Sequence, residues 1–387
     1  MPWRESSVVE ERLRFVILAR RKQSSLVALC REFGISRQTG YRWLERYRAG
    51  GASQVVDRSR RPLHSPGRTR LEIEQRIVAL RQQRPDWGAP KLCVMLGQQQ
   101  PEWGTMAVRT VHRILERYGL IQKSQRHQIA GQRFERSTPN ELWQMDFKGP
   151  QGFNKGSSVG PLSILDDHSR YLIALEQLGS TRMEGVRSTL QQAFEAVGVP
   201  EAVLMDHGTP WWNTASPWGI TELTVWMMRQ GVRLAYSGIS HPQTQGKVER
   251  MHGALQRAVR QRRANPEDPR WLEEFRHEYN YIRPHEALNM ATPASRWRPS
   301  SRRYQPAPPE WVYPPTMEVV PLHGQGQLFW QQRRWEVSRA LRRQRVGIEV
   351  IADRAIVYFC NTPIRELHLP TGACFPIPVD LIGSLQR

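Results

Sequence analysis

The stretch that decides the reading is HPQTQGKVER, His241 to Arg250, inside a longer segment from Tyr236 to Arg263. Pro242 and Gly246 mark a loop, and from Lys247 onward VERMHGALQRAVRQRRA has the pattern of a helix. Glu249 falls in its first turn, with His252, Gly253 and Gln256 at helical spacing on one face. Arg250, Arg257 and Arg260 share another face. A carboxylate beside a strongly basic helix suits a metal ion held against a DNA phosphate. An ordinary solvated helix with one stray acid has the same pattern. The helix alone does not decide.

Two upstream carboxylates shift the balance. ELWQMDFKG carries Asp146 and AVLMDHG carries Asp206. Each is the first acid after a short apolar run: Leu142, Trp143 and Met145 before one, Ala202 to Met205 before the other. An acid at the end of a buried strand emerges at the sheet edge, where ligands bind. Either aspartate taken singly also reads as a turn or capping residue. Two strand-end Asp residues followed by a helical Glu form a far more specific constellation than any one of them.

The ordered Asp146, Asp206 and Glu249, with HPQTQGKVER around the Glu, resembles the integrase core of bacterial insertion-sequence transposases, in the superfamily that includes retroviral integrases. LDDHSRYLIALE (Leu165 to Glu176), MDHG (Met205 to Gly208) and YIRPHEALNMATPAS (Tyr281 to Ser295) match the same group. The resemblance spans at least Trp143 to Trp297. It implies an RNase-H-like α/β core, a small C-terminal SH3-like barrel, and an assembly of two or more copies that handles two DNA ends together. Two departures stand out: His207 follows the second Asp where many relatives have Asn, and the stretch from Asp206 to Glu249 is longer than usual. The extra length falls in GTPWWNTASPWGIT. Trp211, Trp212 and Trp218 there either stack on unpaired bases or plug the core. His207 either orients a phosphate or caps a turn.

Charge agrees with a nucleic-acid partner. The 387 residues carry a net charge of +20. Met1 to Pro139 holds 27 Lys or Arg against 12 Asp or Glu, and the remainder 29 against 24, so the excess sits in the first third. Cys30, Cys93, Cys360 and Cys374 are widely spaced with no CxxC, which argues against a disulfide framework or zinc finger. A zinc site through His207, His241 and His252 lacks cysteine partners and suitable spacing. No apolar run approaches a membrane span and no signal peptide opens the chain. The expectation is a bacterial cytoplasmic, nucleoid-associated protein.

In chain order, residues 1–54 read as a helix-turn-helix, with Ser-capped helices and Gly34 in the turn. Arg37, Gln38, Thr39 and Arg42 stand near the start of its last helix, placed for the major groove. Residues 55–68 form a basic linker whose Arg58, Arg60 and Arg61 can track a DNA backbone. Residues 69–122 resemble a second helix-turn-helix, carried by DWGAPKL and TVHRILERYGLI, with Thr105, Arg109, Thr110 and Arg113 toward DNA. A linker over 123–140 leads to the core at 141–297. A Pro/Arg-rich tether covers 298–315, and short alternating segments over 316–387 suggest a small β-barrel. Its arginine-rich stretch RRWEVSRALRRQR suits either DNA or a second protomer. Asp166 and Asp167 read as turn residues within a hairpin.

Three crowded carboxylates call for a hard cation. Two Mg²⁺ ions, with Mn²⁺ as substitute, would bind Asp146, Asp206 and Glu249, with Asp146 bridging. Lys247, Arg250 and Arg257 would contact double-stranded DNA, both element ends and target. The expected function is metal-dependent 3′-end hydrolysis and strand transfer. A catalytically inert DNA-binding regulator is the main alternative, and a nuclease for RNA–DNA hybrids a lesser one.

Overall fold

The computed structural model describes residues 7–57, 68–121, 135–150, 159–213, 219–237 and 246–377. The chain divides into two compact units, Met1–Arg70 and Leu71–Arg387. Arg58, Arg60, Arg61, Trp218 and the HPQTQ half of the deciding stretch lie outside the described residues.

The first unit contains α1 (Val8–Arg21), α2 (Leu26–Glu32) and α3 (Arg37–Gly50). Each begins where a serine accepts an orphan backbone N–H: Ser7 closes a capping box with Glu10, and Ser25 and Ser36 cap the next two. Gly34, at φ +64°, supplies the left-handed residue that turns the chain between α2 and α3. Phe15, Val16, Leu29, Cys30, Trp43 and Val55 form the core. The Arg12 and Arg46 guanidiniums lie 4.2 and 4.6 Å from the Trp43 ring.

The second unit opens with another helical group, α4 (Leu71–Gln83), α5 (Ala89–Gln99) and α6 (Val108–Arg117), around Ile77, Trp87, Leu92, Val111 and Leu115. The third helix begins at Val108, not at Thr105, because a 3₁₀ turn at Pro101–Trp103 and a left-handed Gly104 hold the intervening residues out of the helix. Asp86, between α4 and α5, has a fully buried side chain.

The central sheet runs β3-β2-β1-β4-β5, from β1 (Trp143–Phe147), β2 (Leu162–Asp166), β3 (Leu172–Glu176), β4 (Ala202–Met205) and β5 (Arg233–Tyr236). The first three strands pair antiparallel, whereas β1–β4 and β4–β5 are parallel. The parallel pairs need crossovers, supplied by α7 (Met183–Val197) and α8 (Glu222–Arg229). LSILD and AVLM are buried at every residue, as expected of strands covered on both faces. Trp143, Ile164, Val203 and Leu234 face Val186, Leu190 and Phe194 of α7. On the other face Leu165, Leu172 and Leu175 meet α9 (Gly246–Arg262) and α10 (Pro269–His277) through Val248, Met251, Leu255, Leu272 and Phe275. The sequence reading had no α8 or β5; both fall within the long interval before Glu249.

Past the core, residues 300–305 lie against it rather than hanging free. Ser300 N–H donates to the Val197 carbonyl at 2.8 Å, and Val199 N–H to that of Arg302 at 2.7 Å. The C-terminal part is rich in β-structure: β6 (Glu318–Pro321), β7 (Gln327–Trp330), β8 (Arg333–Glu336), β9 (Arg345–Ile351), β10 (Arg354–Phe359), β11 (Thr362–His368) and β12 (Ala373–Pro376). They form an antiparallel sheet ordered β12-β11-β10-β9-β6 and a β7–β8 hairpin. The expected barrel is met only in its β-rich character, since no pairing among the described residues closes the sheet.

Candidate active site

Parallel strands end together, and that fact builds the site. Trp143 pairs with Val203 and Gln144 with Leu204. Continuing the register sets Asp146 beside Asp206, one residue past the end of β4. Burial, then the charge of Asp206, and to a lesser degree that of Glu249, push the Asp146 carboxyl up to about 7; the Phe147 amide and Lys148 oppose the rise. Glu249 stands exposed on the first turn of α9. Beside Asp146 lies the buried His252, its Nδ1 at 3.8 Å from Oδ2 and its Nε2 at 2.9 Å from Ser163 Oγ. Burial drops the His252 imidazole to about 3, so it is neutral near pH 7.

The Asp206 carboxylate is held from one side. Its Oδ1 accepts Trp211 Nε1–H at 2.6 Å and Gly208 N–H at 2.9 Å. A Cβ at position 208 would lie 2.9 Å from that oxygen, which explains the glycine of MDHG. Oxygen donors at the Asp146–Asp206 pair, and a cradle that leaves one Asp206 oxygen outside these two bonds, fit a hard dication. Among the described residues, however, no three His, Cys, Asp or Glu side chains converge to hold one ion. The three-carboxylate shell expected from the sequence is thus not assembled among them, although the charges of both Asp206 and Glu249 reach Asp146.

One expectation needs correction. Lys247, assigned to DNA phosphate, is half-buried and pairs with Asp167 instead, its Nζ 2.5 Å from Oδ2, and donates to the Asp167 carbonyl at 2.9 Å. Asp167 also accepts Gln144 Nε2 at 2.8 Å, and Gln144 Oε1 faces the Val248 amide at 3.4 Å. These contacts fix the start of α9, and with it Glu249, to β1 and the β2–β3 turn. Of the two readings of Trp211, the plug agrees with the geometry: the side chain is 1% exposed and its ring stacks on Phe147 at 5.6 Å. Trp212 is half-buried against His207 and Tyr236, with ring centroids 4.5 and 5.0 Å away. His207 belongs to this aromatic cluster.

The turn reading of LDDHSR agrees with the geometry. Asp166 accepts the amides of Asn140 at 2.7 Å and Ser169 at 2.8 Å. Among the residues assigned to DNA, Arg37, Gln38 and Arg42 on α3, Thr105 before α6, Arg109 and Arg113 on α6, and Arg250 and Arg257 on α9 are exposed. Thr39 and Thr110 are half-buried, and Thr39 Oγ1 lies 2.9 Å from Ser36 Oγ.

Known proteins agree with this geometry. Two integrase core domain family models match residues 136–242 and 230–293; a helix-turn-helix domain matches 11–62 and a homeodomain-like domain 39–115. The insertion element IS407 uncharacterized 31.7 kDa protein of Burkholderia multivorans is 24% identical over 262 residues, covering 63% of this chain and 88% of that protein. The chain carries an integrase core domain preceded by helix-turn-helix domains, and is similar to a bacterial insertion-element protein. Solved structures similar to this chain include a chain of the simian T-cell lymphotropic virus intasome, at 16% identity and TM-score 0.37, covering 78% of this chain and 96% of that one. The HTLV-2 integrase catalytic core domain in complex with magnesium is also 16% identical, with TM-score 0.33, covering 41% of this chain and 97% of that one.

Proposed function

We propose that this chain is a transposase that binds the inverted-repeat ends of its own element, hydrolyses their 3′ ends and transfers the strands into target DNA. The observation that carries the reading is the β1–β4 register, which sets Asp146 and Asp206 together at one sheet edge. Asp146, Asp206 and Glu249 are assigned to hold two Mg²⁺ ions, with Mn²⁺ as substitute. When bound, the ions supply Lewis acidity and activate the attacking and leaving oxygens. The chain's own residues position. Gly208 and Trp211 hold the Asp206 carboxylate, Asp167 and Lys247 anchor the helix that presents Glu249, and Arg250 and Arg257 are exposed for phosphate.

The proposed division of labour gives end recognition to 1–54 and 69–122, joined by basic linkers at 55–68 and 123–140, and catalysis to 141–297. A tether at 298–315 leads to 316–387, assigned as an SH3-like module for DNA or a second protomer. A homo-oligomer acts on two ends, in the cytoplasm at the nucleoid.

Duplex carrying the element end, incubated with Mg²⁺, tests the reading: a 3′ nick at the terminus supports it. Tight binding with no product under Mg²⁺ or Mn²⁺ would favour the inert regulator. The double substitution Arg109→Ala, Arg113→Ala is expected to weaken end binding about tenfold or more and to flatten its salt dependence, as read by fluorescence anisotropy. Unchanged affinity and slope would remove α6 from the interface.

A further inference from the structure

We infer that Trp211 is a positioning residue for the paired acids: its indole N–H fixes the Asp206 carboxylate while its ring braces the strand end that carries Asp146. The inference rests on the proposed assignment of these acids as metal ligands. Three strand ends meet at this one residue. Nε1–H donates to Asp206 Oδ1, past β4; the ring stacks on Phe147, next to Asp146 on β1, with planes 17° apart; and the Trp211 carbonyl accepts the Tyr236 hydroxyl of β5 at 3.2 Å. The N–H···O distance of 2.6 Å is that of a short, direct hydrogen bond. Phenylalanine would keep an aromatic ring against Phe147 but offer no donor, so the N–H is what sets tryptophan apart here toward Asp206. Together with the Gly208 amide it engages Oδ1 and fixes the rotation of the carboxylate, and so the direction in which Oδ2 is offered. Partners of this kind orient metal ligands, and their loss typically costs 10–100-fold in metal affinity.

A purely structural role makes a different forecast. If Asp206 merely satisfies a buried indole, losing the N–H alters folding and leaves ion binding alone. The test uses the full chain without DNA and follows Mn²⁺ binding by calorimetry, with Asp206→Asn defining the site. Trp211→Phe is expected to weaken Asp206-dependent Mn²⁺ binding by about 10–100-fold, with end-DNA affinity within about threefold of wild type. Should Trp211→Phe fail to fold, benzothienylalanine placed at 211 keeps the bicyclic shape and the Phe147 stack and removes only the N–H; the same weakening is expected. Wild-type Mn²⁺ affinity in either variant would overturn the inference. Absence of Asp206-dependent Mn²⁺ binding in the wild type would show instead that the metal assignment itself has failed, and would take this inference with it.

Discussion

Asp146→Asn is expected to abolish 3′-end nicking, by at least about a thousandfold, while end affinity stays within about threefold of wild type. The side chain sits at the end of β1 beside Asp206, and asparagine keeps its size while removing its charge. The same change is expected to stabilise the fold. Burial and the neighbouring carboxylates raise the folded Asp146 to about 7, against about 3.9 in an unfolded chain. The folded state therefore binds the proton more tightly, and stability falls as pH rises from about 4 to about 7. In metal-free buffer at pH 8, Asp146→Asn should be more stable by on the order of 2–4 kcal/mol, a difference that shrinks toward pH 4. Urea unfolding at the two pH values reads both signs. A variant that nicks normally would remove Asp146 from the chemistry, and one that is less stable than wild type at pH 8 would contradict the described electrostatics.

The second large effect is expected far from the acids. Asp86 accepts Arg262 Nε at 2.9 Å and Arg262 Nη2 at 2.7 Å on one oxygen, and Arg283 Nη1 at 2.9 Å on the other. Arg262 also donates to Glu278, which lies 3.1 Å from Arg84 Nε. Lys91 of α5 adds a bond to Glu286 at 2.7 Å. The helical group α4–α6 is thereby tied to the last turn of α9, the helix that carries Glu249 in its first turn. Asp86→Leu would leave the buried Arg283 guanidinium without its carboxylate and Arg262 held by Glu278 alone, and breaking a buried pair in this way costs about 3–5 kcal/mol. Thermal unfolding of the full chain is expected to begin about 10 °C earlier. Below that temperature the variant should still bind end DNA but nick it at the wrong phosphodiester or not at all. A shift of less than about 2 °C with correct nicking would mean that the network carries neither stability nor register.

Much of this fold was legible because its central strands are buried on both faces. LSILD and AVLM read as strands, and the aspartates that follow β1's apolar residues and β4 stand where such strands leave the sheet. Ser7, Ser25 and Ser36 cap helices by a local mechanism that needs no tertiary context. What stayed hidden depends on partners remote in sequence. Lys247 carries a charge that suits DNA, but its partner Asp167 is 80 residues away. Trp211 reads from sequence as either a stacking platform or a core plug, but its bond to Asp206 was hidden; the signal available was its place, five residues after that acid. Asp86 lies in DWG, a phrase matched as a motif, and its arginines come 176 and 197 residues later. RLAY of β5 and the eight residues of α8 were too short for their periodicity to stand out.

Three carboxylates, from β1, the end of β4 and α9, are proposed to act together, and Glu249 is the exposed member, on the helix. Labelled element-end duplex should therefore be incubated with Mg²⁺ or Mn²⁺ and either wild type or Glu249→Gln, with nicking and strand joining resolved at single-nucleotide length. Metal-dependent 3′ nicks and joined strands from wild type, with equal end binding and no product from Glu249→Gln, are the predicted result. Equal products from both proteins would contradict the account, because the third acid would then have no part in the reaction.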